Sequence, residues 1–172
     1  MTKKRHFKPL YMLTFIVSAS FVASLAGSLA YTFVEANYLI DEGTYFVAED
    51  GDTGHMFKCY EITNANIQNS IAVAWNRVDG NPMPSSLEIP STITHNDTTY
   101  HVKAIAKGGF RNYPDMTSVI VPQTVEEIRE EAFAFCTGLT SFQIPKDVTE
   151  IAPSTFLDCR ALEVVYYSNG LW

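Results

Sequence analysis

Apolar residues return every 23 positions through the C-terminal half of this chain, and that period decides the architecture. Ile105, Ile128 and Ile151 share the step, as do Phe110, Phe133 and Phe156. Met116, Leu139 and Leu162 form a third column, and Val119, Phe142 and Val165 a fourth. Val121, Ile144 and Tyr167 keep the same spacing, and so do Val102, Val125 and Val148. Pro122 and Pro145 share a column that Ser168 continues. The residues between are polar or small, so each unit has one apolar side that it cannot bury alone. Stacking the units buries the columns as continuous rows, which predicts a solenoid.

One further coil lies upstream. Leu87, Ile89, Pro90 and Ile93 match Val119, Val121, Pro122 and Val125, offset by the period plus an insertion. The insertion falls in Thr92–Val102, where apolar and polar residues alternate around Asn96-Asp97. That pattern predicts a β-hairpin with a two-residue turn. Within the repeats, Val119–Val121, Phe142–Ile144 and Val164–Tyr167 alternate and favour strand, and proline closes the first two. A second short strand is expected at Val125–Ile128 and Val148–Ile151. Glu130–Phe135 reads as a turn or two of helix. The predicted class is therefore a β-rich α/β solenoid.

Residues 37–85 lack the repeat. Gly43–Ala48, Met56–Thr63 and Ser70–Val78 read as three strands joined by turns at Asp50–Gly54 and Asn64–Asn69. They predict an N-terminal β cap on the solenoid of residues 86–172. Residues 1–36 are an export signal of one kind or another. Lys3, Lys4, Arg5 and Lys8 precede a run without charge from Pro9 to Val34, apolar at Leu10–Val17 and then rich in small residues. This is the form of a secretory signal peptide, with candidate cleavage after Ala30 or Ala36. The run is also long enough to span a bilayer, which takes roughly 20 apolar residues, so an uncleaved signal anchor is the alternative. Both place the body of the chain outside the cytoplasm.

Charge and cysteine content narrow the chemistry. Beyond the basic N-terminus only eight Lys and Arg face 19 Asp and Glu, a balance that repels phosphate backbones and excludes nucleic acid as a partner. Three cysteines cannot all pair within one chain and have no metal-ligand spacing. Cys136 and Cys159 share a column, about 5 Å apart at strand spacing. Side chains stacked in parallel suit van der Waals contact better than a bond, so buried free thiols are expected over a disulfide. No GxSxG, HExxH, phosphate-binding glycine loop or CxxC occurs. His95 and His101 read as facing each other across the hairpin, but no cysteine or carboxylate is placed to complete a metal site. Glu49–Gly54 lacks the spaced ligands of a calcium loop and reads as a turn. Glu126, Glu127, Glu130 and Glu131 read as a solvated face.

The segment from Val125 to Val165, with Ile128, Phe133, Cys136, Leu139, Phe142, Ile144, Pro145 and Val148 in order, resembles the BspA-like class of leucine-rich repeat. That pattern runs I-x4-F-x2-C-x2-L-x2-[VF]-x-I-P-x2-[VI]. The resemblance covers roughly residues 86–168, about half the chain, and includes an entry hairpin at Leu87–Phe110. Tyr113 departs from it at the cysteine, Gly109 at the alanine before Phe110, and Ser168 at the proline. It implies a leucine-rich-repeat right-handed superhelix in an exported or cell-surface protein that binds neighbouring molecules as an adhesin. It implies no catalysis and no catalytic residues.

Strand alternation then places the candidate contact residues. With Val119 and Val121 inside, Ile120 points out, and Glu88, Gln143 and Tyr166 follow on their own coils, flanked by Ser118 and Ser141. The expected function is a secreted or surface-displayed recognition module for an extracellular protein or glycan, a host surface included. It needs no cofactor or metal and touches membrane only through its N-terminal segment. The alternative is a self-associating structural envelope protein tethered by that segment. The last coil has only Ser168–Trp172 after it, too little to cover an edge. Either the array is a piece of a longer one or it pairs edge to edge with another copy.

Overall fold

The computed structural model describes residues 44–62 and 68–168. The export segment, most of the Asn64–Asn69 turn and the final four residues lie outside that range. Ten strands appear in chain order: β1 Tyr45–Glu49, β2 Met56–Glu61, β3 Ser70–Trp75, β4 Ser86–Glu88, β5 Thr92–His95, β6 Thr98–Ile105, β7 Ser118–Ile120, β8 Glu127–Ile128, β9 Ser141–Ile144 and β10 Val164–Tyr167.

The first three strands and the hairpin share one sheet. Its order is β1-β2-β3-β6-β5, with β8 also pairing β6. β1, β2 and β3 are antiparallel neighbours, whereas β3 runs parallel to β6. The cap is thus hydrogen-bonded directly into the entry hairpin. Phe57, Cys59, Ile71, Val73 and Trp75 enter the same core as Ile105, Phe110 and Phe133. On the other face Ala72, Ala74, Ala104 and Ala106 pack around Tyr60. The loop after β3 is fixed by Asn81. Its Nδ2 donates to the carbonyls of Met56 (2.9 Å) and Asn76 (2.7 Å), its Oδ1 accepts from Met56 N–H, and its carbonyl accepts from Trp75 Nε1.

The hairpin turn forms where alternation placed it. Asn96 (φ 48°) and Asp97 (φ 60°) both take the left-handed conformation that a two-residue hairpin loop requires. The pairing that follows corrects the expectation for the histidines. His95 lies opposite Thr98 and His101 opposite Thr92, so a two-residue loop sends the two imidazoles to opposite faces. His95 stacks on Phe46 at 4.6 Å, tying β5 to β1.

The helical expectation for Glu130–Phe135 is also corrected: among the described residues there is no helix. Gly108, Glu131 and Ser154 have φ of 59°, 57° and 59°, and Asn112, Phe135 and Asp158 have φ of 61°, 60° and 58°. Each repeat therefore reverses hand twice, at positions four residues apart, and a helix cannot pass either one. The freed N–H groups turn sideways to the next coil. Phe110 donates to Ala132 (2.8 Å), Phe133 to Thr155 (3.0 Å), Asn112 to Ala134 (2.8 Å) and Phe135 to Leu157 (2.6 Å). The α/β designation gives way to a strand-and-turn solenoid.

The predicted columns fill the interior in the earlier coils, but in the last coil Val165 is exposed and Ile151, Phe156, Leu162 and Tyr167 are only partly buried. Phe133 stacks between Phe110 (5.5 Å, 15°) and Phe156 (6.0 Å, 11°) and meets Phe142 at 5.0 Å. Ile105, Ile128, Met116, Leu139, Val125 and Val148 are buried. Ile128 and Ile151 form a parallel bridge, so the second short strand shrinks to a single pair in the last coil. Gly109, which breaks the repeat pattern, lies against β3. A Cβ there would sit 3.0 Å from the carbonyls of both Ala106 and Val73.

Candidate recognition surface

The outward face of the repeat strands is built from one strand per coil. β4 pairs β7 in parallel, with Ser86 beside Ser118, Leu87 beside Val119 and Glu88 beside Ile120. β9 pairs β10 in parallel, with Ser141 beside Val164, Phe142 beside Val165 and Gln143 beside Tyr166. Thr140 N–H donates to the Thr117 carbonyl (3.2 Å), which links the two pairs. Thr117 donates in turn to Ser85, and Glu163 to Thr140. Leu87, Val119, Phe142 and their neighbours two residues on point inward, so the intervening residues point out.

Each sequence-derived contact residue is found on this face. Glu88 is exposed, Ile120 is 56% exposed and Tyr166 is 45% exposed. Gln143, Ser118 and Ser141 are half-buried. Glu88, Ile120, Gln143 and Tyr166 form one row at steps of about 4.8 Å. Ser86, Ser118 and Ser141 form a second, of short side chains, and Ser118 Oγ bonds Ser86 Oγ at 2.8 Å. Val164 ends that row and is itself exposed, a member that the sequence reading did not single out. Its signal was available, since Val164 stands two residues before Tyr166.

The opposite, turn-lined side is closed by charge pairing between coils. Lys103 meets Glu126 at 2.6 Å and Lys107 meets Glu130 at 3.0 Å. Arg111 pairs with Glu131 and lies over the Phe135 ring at 4.6 Å. Arg77 stacks over Tyr113 at 4.3 Å and donates to the Arg111 carbonyl. Glu126, Glu130 and Glu131 thus neutralise cations of the preceding coil, whereas Glu127 pairs with Arg129 of its own coil at 3.1 Å.

The cysteines are free thiols. Cys136 Sγ donates to the Phe110 carbonyl (3.0 Å) and Cys159 Sγ to the Phe133 carbonyl (3.1 Å). Each sulfur therefore ties its coil to the one before, in parallel rather than toward each other. Burial pushes the Cys136 and Cys59 thiols up to about 12 and raises Cys159 as well. Groups so reluctant to ionise are poor nucleophiles and poor metal ligands. Among the described residues no group of three His, Cys, Asp or Glu side chains could hold a metal ion.

The motif, the period and the coil geometry now meet in a single family. The description "BspA type Leucine rich repeat region (6 copies)" matches residues 89–171. Those residues belong to the BspA-type leucine-rich-repeat family. No curated protein matches the chain. Among solved structures, a leucine-rich repeat protein from Bacteroides capillosus ATCC 29799 is similar over 71% of this chain and 98% of its own. Its TM-score is 0.50 and its identity 19%. The pneumococcal vaccine antigen PcpA is 17% identical over 72% of this chain and 38% of its own, with a TM-score of 0.47. A leucine rich cell surface protein from Faecalibacterium prausnitzii A2-165 is 22% identical over 75% of this chain and 44% of its own, with a TM-score of 0.37. At such identities the Bacteroides likeness establishes the leucine-rich-repeat fold alone. The chain spans less than half the length of the last two.

Proposed function

We propose that the chain is an exported, surface-displayed recognition module, non-enzymatic, that engages an extracellular protein or glycan through the Glu88–Ile120–Gln143–Tyr166 row. The observation that carries this reading is the placement of Ile120 and Tyr166. Both are large apolar groups held well exposed on a regular face whose inner side is filled. Solvent gives nothing in return for that exposure, whereas a partner buries it. The serine row beside it offers hydroxyls to a polar rim. The basic flank and long uncharged run at the N-terminus support export, and the family supports a binding role for the repeats.

Two measurements test this. A reporter fused to residues 1–40 is delivered outside the cytoplasm; a cytoplasmic reporter removes the premise. The exported wild-type chain binds saturably to host or neighbouring cells, or to immobilised surface proteins and glycans. The Ile120→Ala, Tyr166→Ala double variant, folded by circular dichroism, loses at least tenfold in affinity. Equal binding by that variant takes the row out of the function.

A further inference from the structure

The outward face of the repeat strands carries charge of one sign. Glu88 is exposed, and so are Asp115, three residues before β7, and Glu163, one residue before β10. None of these carboxylates meets a cation among the described residues. No Lys or Arg occurs in β4, β7, β9 or β10. The described cations are engaged within the chain instead. Lys103, Lys107, Arg111 and Arg129 are held by glutamates of the turn side. Lys58 lies over the Tyr45 ring and Arg77 over Tyr113. Arg160 pairs with Asp158 at 2.8 Å. Lys146 stands two residues beyond the end of β9, with the Asp147 carboxylate 3.8 Å away. A face so charged repels acidic partners, sialylated or sulfated glycans and phosphate polymers included.

The neighbour of Glu88 narrows the partner further. Glu88 lies beside Ile120 across β4 and β7. A partner that covers Ile120 also strips water from the carboxylate next to it. A neutral sugar leaves that charge without a counter-ion, a desolvation cost that covering one isoleucine does not offset. Lys and Arg answer both residues at once, because the methylene stem lies along an apolar side chain while the head reaches past it to the carboxylate. Gln143 lies beside Tyr166 across β9 and β10. Its amide offers a donor and an acceptor to a peptide group, and the exposed Tyr166 ring takes a second cation. Lys58 over Tyr45, at 5.1 Å, is the same pairing within this chain.

We infer that the partner of this face is a basic polypeptide segment, held with a Lys or Arg stem on Ile120 and its charge on Glu88. The inference rests on the recognition function proposed above and names the class of its partner.

The test titrates the full chain, in an uncharged mild detergent, into labelled probes and follows fluorescence anisotropy. Three twelve-residue peptides alternate threonine with lysine, with glutamine or with glutamate, and maltohexaose is the neutral glycan. The lysine peptide should bind saturably and about tenfold tighter than the glutamine peptide, the scale of one close charge pair, while the glutamate peptide and maltohexaose should not bind. Glu88→Gln should lose about tenfold toward the lysine peptide. Asp79→Asn removes an exposed carboxylate from the loop after β3 and should leave that affinity unchanged. Equal losses in the two variants reduce the effect to net charge and overturn the inference. It is overturned too by undiminished binding in Glu88→Gln, or by a glutamine peptide that binds as tightly as the lysine peptide. Maltohexaose binding that Ile120→Ala weakens, or no binding by any probe, also overturns it. Each of those results leaves the recognition reading standing. That reading falls only if the Ile120→Ala, Tyr166→Ala variant binds cells and surface components as the wild type does.

Discussion

Replacing Phe133 by alanine should be the most damaging single change in the repeat region. Its ring is fully buried, stacked on Phe110 at 5.5 Å and Phe156 at 6.0 Å and tilted against Phe142 at 5.0 Å. Truncating a buried phenylalanine costs about 3–5 kcal/mol, and less where neighbours can collapse into the space. Here they cannot, because the rings on either side are held by backbone bonds from coil to coil, Phe110 to Ala132 and Phe133 to Thr155. A loss of roughly 4–5 kcal/mol is therefore expected, against a total of about 5–15 for a domain. At roughly 3–5 °C per kcal/mol for a domain of this size, melting falls by about 12–25 °C. Phe156→Ala serves as the internal comparison. Its ring is half-buried with one stacked neighbour, so the loss should be about half as large. Urea unfolding of both variants and wild type, with unchanged m-values, measures the difference. If Phe156→Ala costs as much as Phe133→Ala, or Phe133→Ala costs less than about 1.5 kcal/mol, the column is not the continuous stack described.

Ser154 takes a left-handed conformation at the position Gly108 holds two coils earlier, and it is exposed, so Ser154→Gly should raise stability by about 0.5–1 kcal/mol while Ser154→Val lowers it. Thermal melting of the two variants, moving in opposite directions, is the check. Asn81→Asp keeps size but turns two donors toward Met56 and Asn76 into a carboxylate facing their carbonyls. It should cost about 2–4 kcal/mol in urea unfolding at neutral pH, and a neutral result would mean the loop is not held by that amide. Cys59 and Cys136 are pushed up to about 12 from 9.0. Their contribution to stability is whole below pH 9 and is lost as pH rises from 9 toward 12, because only the unfolded thiols ionise there. Each thiol then removes about 1.4 kcal/mol per pH unit. The Cys59→Ala, Cys136→Ala double variant should show a visibly flatter decline than wild type; identical slopes would mean the thiols ionise in the folded state. In native protein at pH 8, maleimide should modify Cys159 first, since it alone of the three is not fully buried.

What the sequence discloses and what it withholds divide along a physical line. A period of 23 with fixed apolar positions specifies which side chains share an interior, because only stacking can bury them. The columns of the earlier coils, the outward placement of Glu88, Ile120, Gln143 and Tyr166, and the hairpin turn are legible for that reason. Backbone hand is different. Glu131 and Phe135 are ordinary helix-compatible residues, and nothing in Glu-Glu-Ala-Phe-Ala-Phe announces two reversals. Those positions are left-handed because neighbouring coils demand N–H groups turned sideways, a tertiary requirement that overrides local preference. The hint lay in the column rather than in the segment, since Gly108 and Asn112 stand at the same two places one coil earlier and are residues that adopt that hand readily. Gly109 carries the matching lesson. Within the repeat it looks like a lapse from alanine. It becomes a requirement once β3 is seen to run against it, with the carbonyls of Val73 and Ala106 where a Cβ would stand. A departure from the repeat thus marks where the repeat meets a neighbour that is not a repeat. By the same reasoning Tyr113, which stands where later coils carry a cysteine, sits beneath Arg77 from the segment after β3. Both irregularities fall in the first full coil and both face the cap. Of the three departures from the 23-residue rule, the two in the first full coil therefore locate the joint between cap and solenoid, whereas Ser168 falls in the last coil, away from it.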